Sequence, residues 1–144
     1  MDAIINRIKR HEGCRLRPYR DSLGFWTVGW GHKMESIGPS ILADGITQED
    51  ADRLLIDDIL KSYHGVSRLP AMVLNNCNEV RRGVLIEMCF QLGYSGVLKF
   101  KRMLRAIQNN DFERAANEMV FSLWHSQTPT RCQELSEVMR HGRN

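Results

Sequence analysis

The sequence predicts an α+β fold, with a small β-hairpin lobe beside a larger helical lobe. Three observations predict it. Residues 16–28 are rich in β-formers grouped around one cluster of turn residues. From Thr47 onward, apolar residues recur at helical spacing. The length of 144 residues suits one ordinary domain, or two small lobes sharing a helix, and is enough to bury a core. With 42% hydrophobic and 26% charged residues, the chain has the mix of a globular protein rather than a disordered one.

Each element follows in order. Residues 2–12 read as a short helix, with Ile4, Ile5 and Ile8 on one face and Gly13 as its stop. Leu16 to Arg20 and Phe25 to Val28 read as two strands, joined by the turn Asp21-Ser22-Leu23-Gly24. A third short strand is allowed, and the glycines of Gly29-Trp30-Gly31-His32 let the backbone bend sharply there. Residues 33–45, with Gly38, Pro39 and Gly45, read as a loop. Thr47-Gln48-Glu49-Asp50 is a weak capping box, its acid one carbon short. It opens a helix over about 47–62 that could link the β lobe (about 13–46) to the helical lobe (about 63–144), on which helix 2–12 would pack. Pro70 starts a short helix ending near Asn75. Residues 79–92 are apolar nearly all round, as expected of the buried central helix of a bundle, and Gly93 ends them. Further helices fit 95–108 and 111–124. Thr128-Pro129 reads as an N-cap before a last helix that stops at Gly142.

Composition excludes several functions. The net charge of +3 and pI near 8.8 suit an anionic polymer. They are too weak, and the Lys and Arg too scattered, to argue for nucleic acid. The four cysteines form no Cys-x-x-Cys pair, and no His stands at finger spacing from them, so no metal site is expected. No organic cofactor is implied. The N-terminal stretch does not read as an export signal, and no apolar run reaches the ~18 residues of a membrane span. The expectation is a protein made in a cytoplasm, without stable membrane insertion, and monomeric.

The chemistry concentrates between Glu12 and His32. Glu12 stands at the expected C-terminal end of a helix, where the dipole disfavours a second negative charge and so favours the protonated carboxyl that a general acid needs. Asp21 lies across the expected hairpin from Thr27, and a carboxylate facing a hydroxyl can hold one water. Two carboxyls flanking a water are the minimum for glycoside hydrolysis. Singly, each has a plainer reading: a solvated Glu, a turn-forming Asp and an ordinary strand Thr.

The 21-residue run from Glu12 to His32 resembles the signature of the phage-type lysozymes of T-even and lambdoid phages, glycoside hydrolase family 24. That signature is Glu, eight residues, Asp, five residues, Thr, and a Gly-x-Gly-His end; here Glu12, Asp21, Thr27 and Gly29-Trp30-Gly31-His32 stand at those spacings. Gly13, Leu16, Tyr19 and Gly24 agree as well. Downstream, Val80-Arg81-Arg82, Met88 to Gly93 and Trp124 to Arg131 resemble the family's central helix and its Trp, Gln-Thr-Pro and Arg segment.

The resemblance implies a two-lobed lysozyme fold and an inverting 1,4-β-N-acetylmuramidase acting on bacterial peptidoglycan. It makes Glu12 the acid, Asp21 the facing carboxylate and Thr27 a holder of the water. It pairs Arg131 with the catalytic Glu. It makes His32 structural, with Asp58 as its partner. Phe90, Gln91 and Glu87 would line the substrate cleft, with Glu87 standing where the T-even type commonly has Asn. Trp26 and Trp30 are either sugar-stacking platforms or hairpin packing residues. The loop after His32 is shorter than in the T-even type, and the expectation is of a protein without an added wall-binding domain.

Three rival readings stand beside it. A lytic transglycosylase cuts the same bond with one acid and no water, but Asp21 and Thr27 are needed only when water attacks. A non-catalytic wall-binding module would not need the three groups intact. A tail-associated lysozyme used at entry would look the same in sequence. The setting expected is an endolysin made in the host cytoplasm and dependent on a holin to reach the periplasmic wall.

Overall fold

The computed structural model describes residues 1–35 and 38–144, with only the backbone of Pro39; the expected loop therefore lies partly outside the described residues. The elements in chain order are α1 (Asp2–Glu12), β1 (Arg15–Arg20), β2 (Trp26–Gly29), β3 (His32–Lys33), α2 (Pro39–Asp44), α3 (Gln48–Ser67), α4 (Ala71–Asn76), α5 (Glu79–Leu98), α6 (Lys101–Gln108), α7 (Phe112–Val120), α8 (Leu123–Gln127) and α9 (Pro129–His141). The fold is α+β, mostly helical with one small antiparallel sheet in the order β1-β2-β3. The chain divides into two compact units, Met1–Leu60 and Lys61–Asn144. No helix among the described residues is long and apolar enough to cross a membrane.

In the first unit, β1 pairs with β2 through Tyr19↔Thr27 and Arg20↔Trp26. The ladder is irregular between Arg15 and Tyr19, where Pro18 has no N–H to offer. The allowed third strand forms as β3, with Val28 opposite His32. The expected loop contains a short helix instead: Pro39 supplies the fixed φ of a first turn, and Gly45 stops it at φ 74°. The capping box of α3 forms with the short acid. Thr47 Oγ1 accepts from Asp50 N–H at 3.0 Å, and Asp50 Oδ2 accepts from Thr47 N–H at 3.3 Å.

The link helix runs on to Ser67 rather than about 62. It passes through Gly65 because a Cβ there would lie 3.0 Å from Cys89 Sγ, so the missing side chain allows close approach to α5. The core of the second unit is built around α5, where Val84, Leu85, Ile86 and Met88 are buried, with Met103, Ile107, Met119, Leu135 and Met139 from other helices. Each such side chain contributes roughly 1.5–3 kcal/mol by leaving water.

Breaks in the second unit differ from the expectations. Gly93 leaves the helix at φ 76° and ψ 164°, but helical geometry resumes to Leu98. The expected helix 95–108 is interrupted at Lys99–Phe100, and 111–124 at Phe121–Ser122, where Ser122 starts α8 with a cap to His125 N–H. Thr128 precedes α9 but makes no side-chain cap. Its hydroxyl instead accepts from Gln91 Nε2 at 3.2 Å.

Candidate active site

Glu12 is the last residue of α1 and is half-buried. Gly13 closes the helix with its N–H on Lys9 O and, at φ 65° and ψ 170°, turns the chain into β1. The carboxyl of Glu12 rests on the turn between β2 and β3. A Cβ built on Gly31 would stand 2.4 Å from Glu12 Oε2 and 2.6 Å from its Cδ. A side chain there would displace the Glu12 carboxyl, and the φ of 74° itself favours glycine.

Asp21 follows β1 and shapes the hairpin turn. Its Oδ1 accepts from Leu23 N–H at 2.9 Å and from Phe25 N–H at 2.8 Å, an Asx turn that leaves Oδ2 for other partners. Its N–H reaches Phe25 O at 2.9 Å. The residue directly opposite Thr27 is Tyr19, not Asp21 as expected. Tyr19 and Thr27, as a cross-strand pair, share one face of the sheet, and Asp21 stands two residues past Tyr19, just beyond the end of β1. Thr27 is buried, and its hydroxyl donates to Phe25 O at 3.0 Å. Its remaining capacity is therefore as an acceptor.

Tyr19 was not anticipated as a site residue, because a strand aromatic gives no signal of its own. Burial raises its phenol pKa, and the negative charges of Glu12 and Asp21 push in the same direction while Arg15 opposes. Both carboxyls therefore act on one phenol. The Arg15 guanidinium covers the ring at 4.4 Å.

The remaining predicted residues divide by unit. In the first, His32 Nδ1 and Asp58 Oδ2 meet at 2.7 Å, tying β3 to α3. Trp30 is held at its edge and met on a face: its Nε1–H is bound to Asp52 Oδ1 at 2.8 Å, and Lys9 Nζ sits 5.0 Å over the ring. Arg20 covers Trp26 in the same way at 4.4 Å. In the second, Glu87 is wholly buried on α5, so it cannot touch a sugar as expected; helical spacing gave its face but not what covers that face. Arg131 is buried on α9. Phe90 is half-buried beside Gln91, whose Oε1 accepts from Trp124 Nε1–H at 2.9 Å. A groove of about 530 Å³ lies nearby, lined by Phe100, Phe121, Leu123 and Trp124 with Lys99, Lys101 and Arg102.

The family model described as phage lysozyme matches residues 9–140. The chain belongs to the phage lysozyme family. As a member it is a lysozyme, a peptidoglycan-degrading hydrolase. It is 28% identical to probable T4-type lysozyme 1 of Dictyostelium discoideum, covering 99% of this chain and 96% of that protein. It is 34% identical to the endolysin of Salmonella phage P22, covering 83% and 79%. It is 30% identical to the pre-baseplate central spike protein Gp5 of Enterobacteria phage T4, covering 97% of this lysozyme and 28% of that protein.

Proposed function

We propose that this lysozyme hydrolyses the β-1,4 bond between N-acetylmuramic acid and N-acetylglucosamine with inversion at the anomeric carbon. Glu12 gives its proton to the leaving glycosidic oxygen. A water attacks the anomeric carbon from the opposite face and passes a proton to Asp21. Arg131 is assigned as a supporting residue, His32 with Asp58 as a structural pair, and Phe90 and Gln91 as substrate-lining residues. The basic rim of the nearby groove suits an anionic wall polymer. Residues 1–144 are taken as one catalytic domain.

The observation that carries the reading is the hydrogen-bond capacity at the hairpin. The Thr27 proton is committed to Phe25 O, and Oδ1 of Asp21 is committed to two backbone N–H groups. Any water between Asp21 Oδ2 and Thr27 Oγ1 must donate to both. With both its protons donated, its lone pairs are left free, as a nucleophile requires. A transglycosylase has no use for this arrangement.

The test is digestion of purified peptidoglycan by the native protein and by Glu12→Gln, with mass analysis of fragments and NMR of the newly formed anomers. Native digestion should give reducing ends that appear first as the α-anomer, and Glu12→Gln should lose roughly 10²–10⁴-fold in rate. Anhydro ends, β-anomers first, or an active Glu12→Gln would each overturn the assignment.

The endolysins among its relatives support release at the end of infection. In that setting the monomeric enzyme is made in the host cytoplasm and reaches the periplasmic wall after a holin permeabilises the membrane. Lysis on expression of this protein alone, without a holin, would count against that route.

A further inference from the structure

The turn Gly29-Trp30-Gly31 forms the wall against which the Glu12 carboxyl lies. Two of its three residues are glycines at φ 66° and 74°, which hold little conformational preference of their own. Its restraint comes from the start of α3. Gly29 fits against Ala51, where a Cβ would lie 3.2 Å from the Ala51 Cβ. One residue on, Asp52 Oδ1 accepts the Trp30 indole N–H at 2.8 Å. Gln48, one helical turn earlier, donates to the same oxygen at 3.1 Å. Gln48 also reaches Cys14 Sγ at 3.7 Å, two residues after Glu12. Lys9, whose carbonyl closes α1 at Gly13, lies over the indole. Both sequence flanks of Glu12 and the turn beneath its carboxyl are thus tied into one frame centred on Asp52.

We propose that Trp30 and Asp52 are positioning residues for the general acid: their hydrogen bond anchors the Gly31 turn to α3 and thereby sets where the Glu12 carboxyl stands. The proposal rests on the assignment of Glu12 as the acid. Trp30 acts here through its N–H, not as a sugar platform. Asp52 is suited to the task because the bonds from Trp30 and Gln48 hold its carboxyl below the usual aspartate range, so it remains an ionised acceptor. Proton transfer is sensitive to small displacements of the donor, and a shift of ~1 Å can cost about a hundredfold in rate.

The experiment compares Trp30→Phe, Asp52→Ala, Asp52→Asn and the double variant Trp30→Phe/Asp52→Ala with the native enzyme. It measures kcat and KM on soluble glycan oligomers, Tm, and the indole Nε1–H resonances by NMR. Trp30→Phe keeps an aromatic ring and removes the donor. Asp52→Asn keeps an oxygen acceptor and removes the charge. The expected result is a fall in kcat of roughly tenfold in Trp30→Phe and Asp52→Ala, with KM within about twofold. The double variant should fall no further than either single one, because both remove the same bond. Asp52→Asn should keep most of kcat and the hydrogen-bonded position of the Trp30 N–H signal.

A loss confined to KM would make Trp30 a sugar contact and overturn the proposal. Unchanged kcat, additive losses, or an Asp52→Asn as poor as Asp52→Ala would overturn it too. Should Asp52→Ala fail to fold, Trp30→Phe and Asp52→Asn decide alone. Glu12→Gln run alongside separates the two levels. An active Glu12→Gln sinks the acid assignment, whereas an inactive Glu12→Gln with native-like Trp30 and Asp52 variants sinks only the frame.

Discussion

Gly31 and Gly24 both hold positive φ, but a side chain would meet different things at each. At Gly24 nothing lies within 4 Å, so strain alone opposes substitution; at Gly31 the Glu12 carboxyl occupies the space. Both Ala variants should lose roughly 1–3 kcal/mol of stability. Only Gly31→Ala should also lose turnover, by more than about tenfold, because the Glu12 carboxyl, the proposed acid, must move. Melting curves and kcat measured on the two proteins check this. Tyr19 offers a second readout. Its phenol should titrate above the ordinary tyrosine range in an ultraviolet titration, and Glu12→Gln should move it back down, since Glu12 contributes negative charge there. Glu12, Asp21 and Thr27 stand out as candidates in the sequence because their spacing is a linear signal. Tyr19 and Asp52 do not, because their importance lies in what they face. Glu87 misled for the same reason: an i,i+4 relation to Gln91 names a helix face without saying whether that face is open.

Helix ends decided most of what the sequence could and could not show. The α3 capping box was legible, and it should carry a measurable load. Thr47→Ala is expected to cost about 1 kcal/mol, read by chemical denaturation. The bonds from Thr47 lower the Asp50 pKa in the folded protein, first among several causes. Its contribution is therefore complete above the unfolded-state pKa and is lost as pH falls through the folded one. Stability measured down through the acid range should fall less steeply in Asp50→Ala. The breaks at Lys99–Phe100 and Phe121–Ser122 were not legible, since apolar periodicity continues across them. Nor was the fastening of α9. Arg81 donates to Met139 O at 2.7 Å and to Arg140 O at 3.1 Å, satisfying carbonyls that a helix end leaves bare. Arg81→Ala should cost roughly 1–3 kcal/mol in the same denaturation assay.

At the scale of the whole molecule, the α+β class and the family resemblance were legible because one local signature and a long helical pattern suffice for both. The state of the four cysteines was not, since pairing depends on distances in space. All four are free. Burial pushes the Cys77 and Cys132 thiols up to about 11, and Cys14 is the least buried of the set. Iodoacetamide at neutral pH should label one thiol per native molecule, at Cys14, and four after denaturation; mass spectrometry of the labelled protein checks the count. The proposed trio has a further property. Eight residues separate Glu12 from Asp21 and five separate Asp21 from Thr27, all within the first unit. Closing such short loops costs little chain entropy, and the cost is independent of how the rest of the polypeptide is threaded. The exposed turn at Asn109–Asn110, between α6 and α7, lies far along the chain from all three. A circular permutant with its new termini there would leave those closures at their native length, whereas one opened between Glu12 and Thr27 would have to form them through the whole remaining chain.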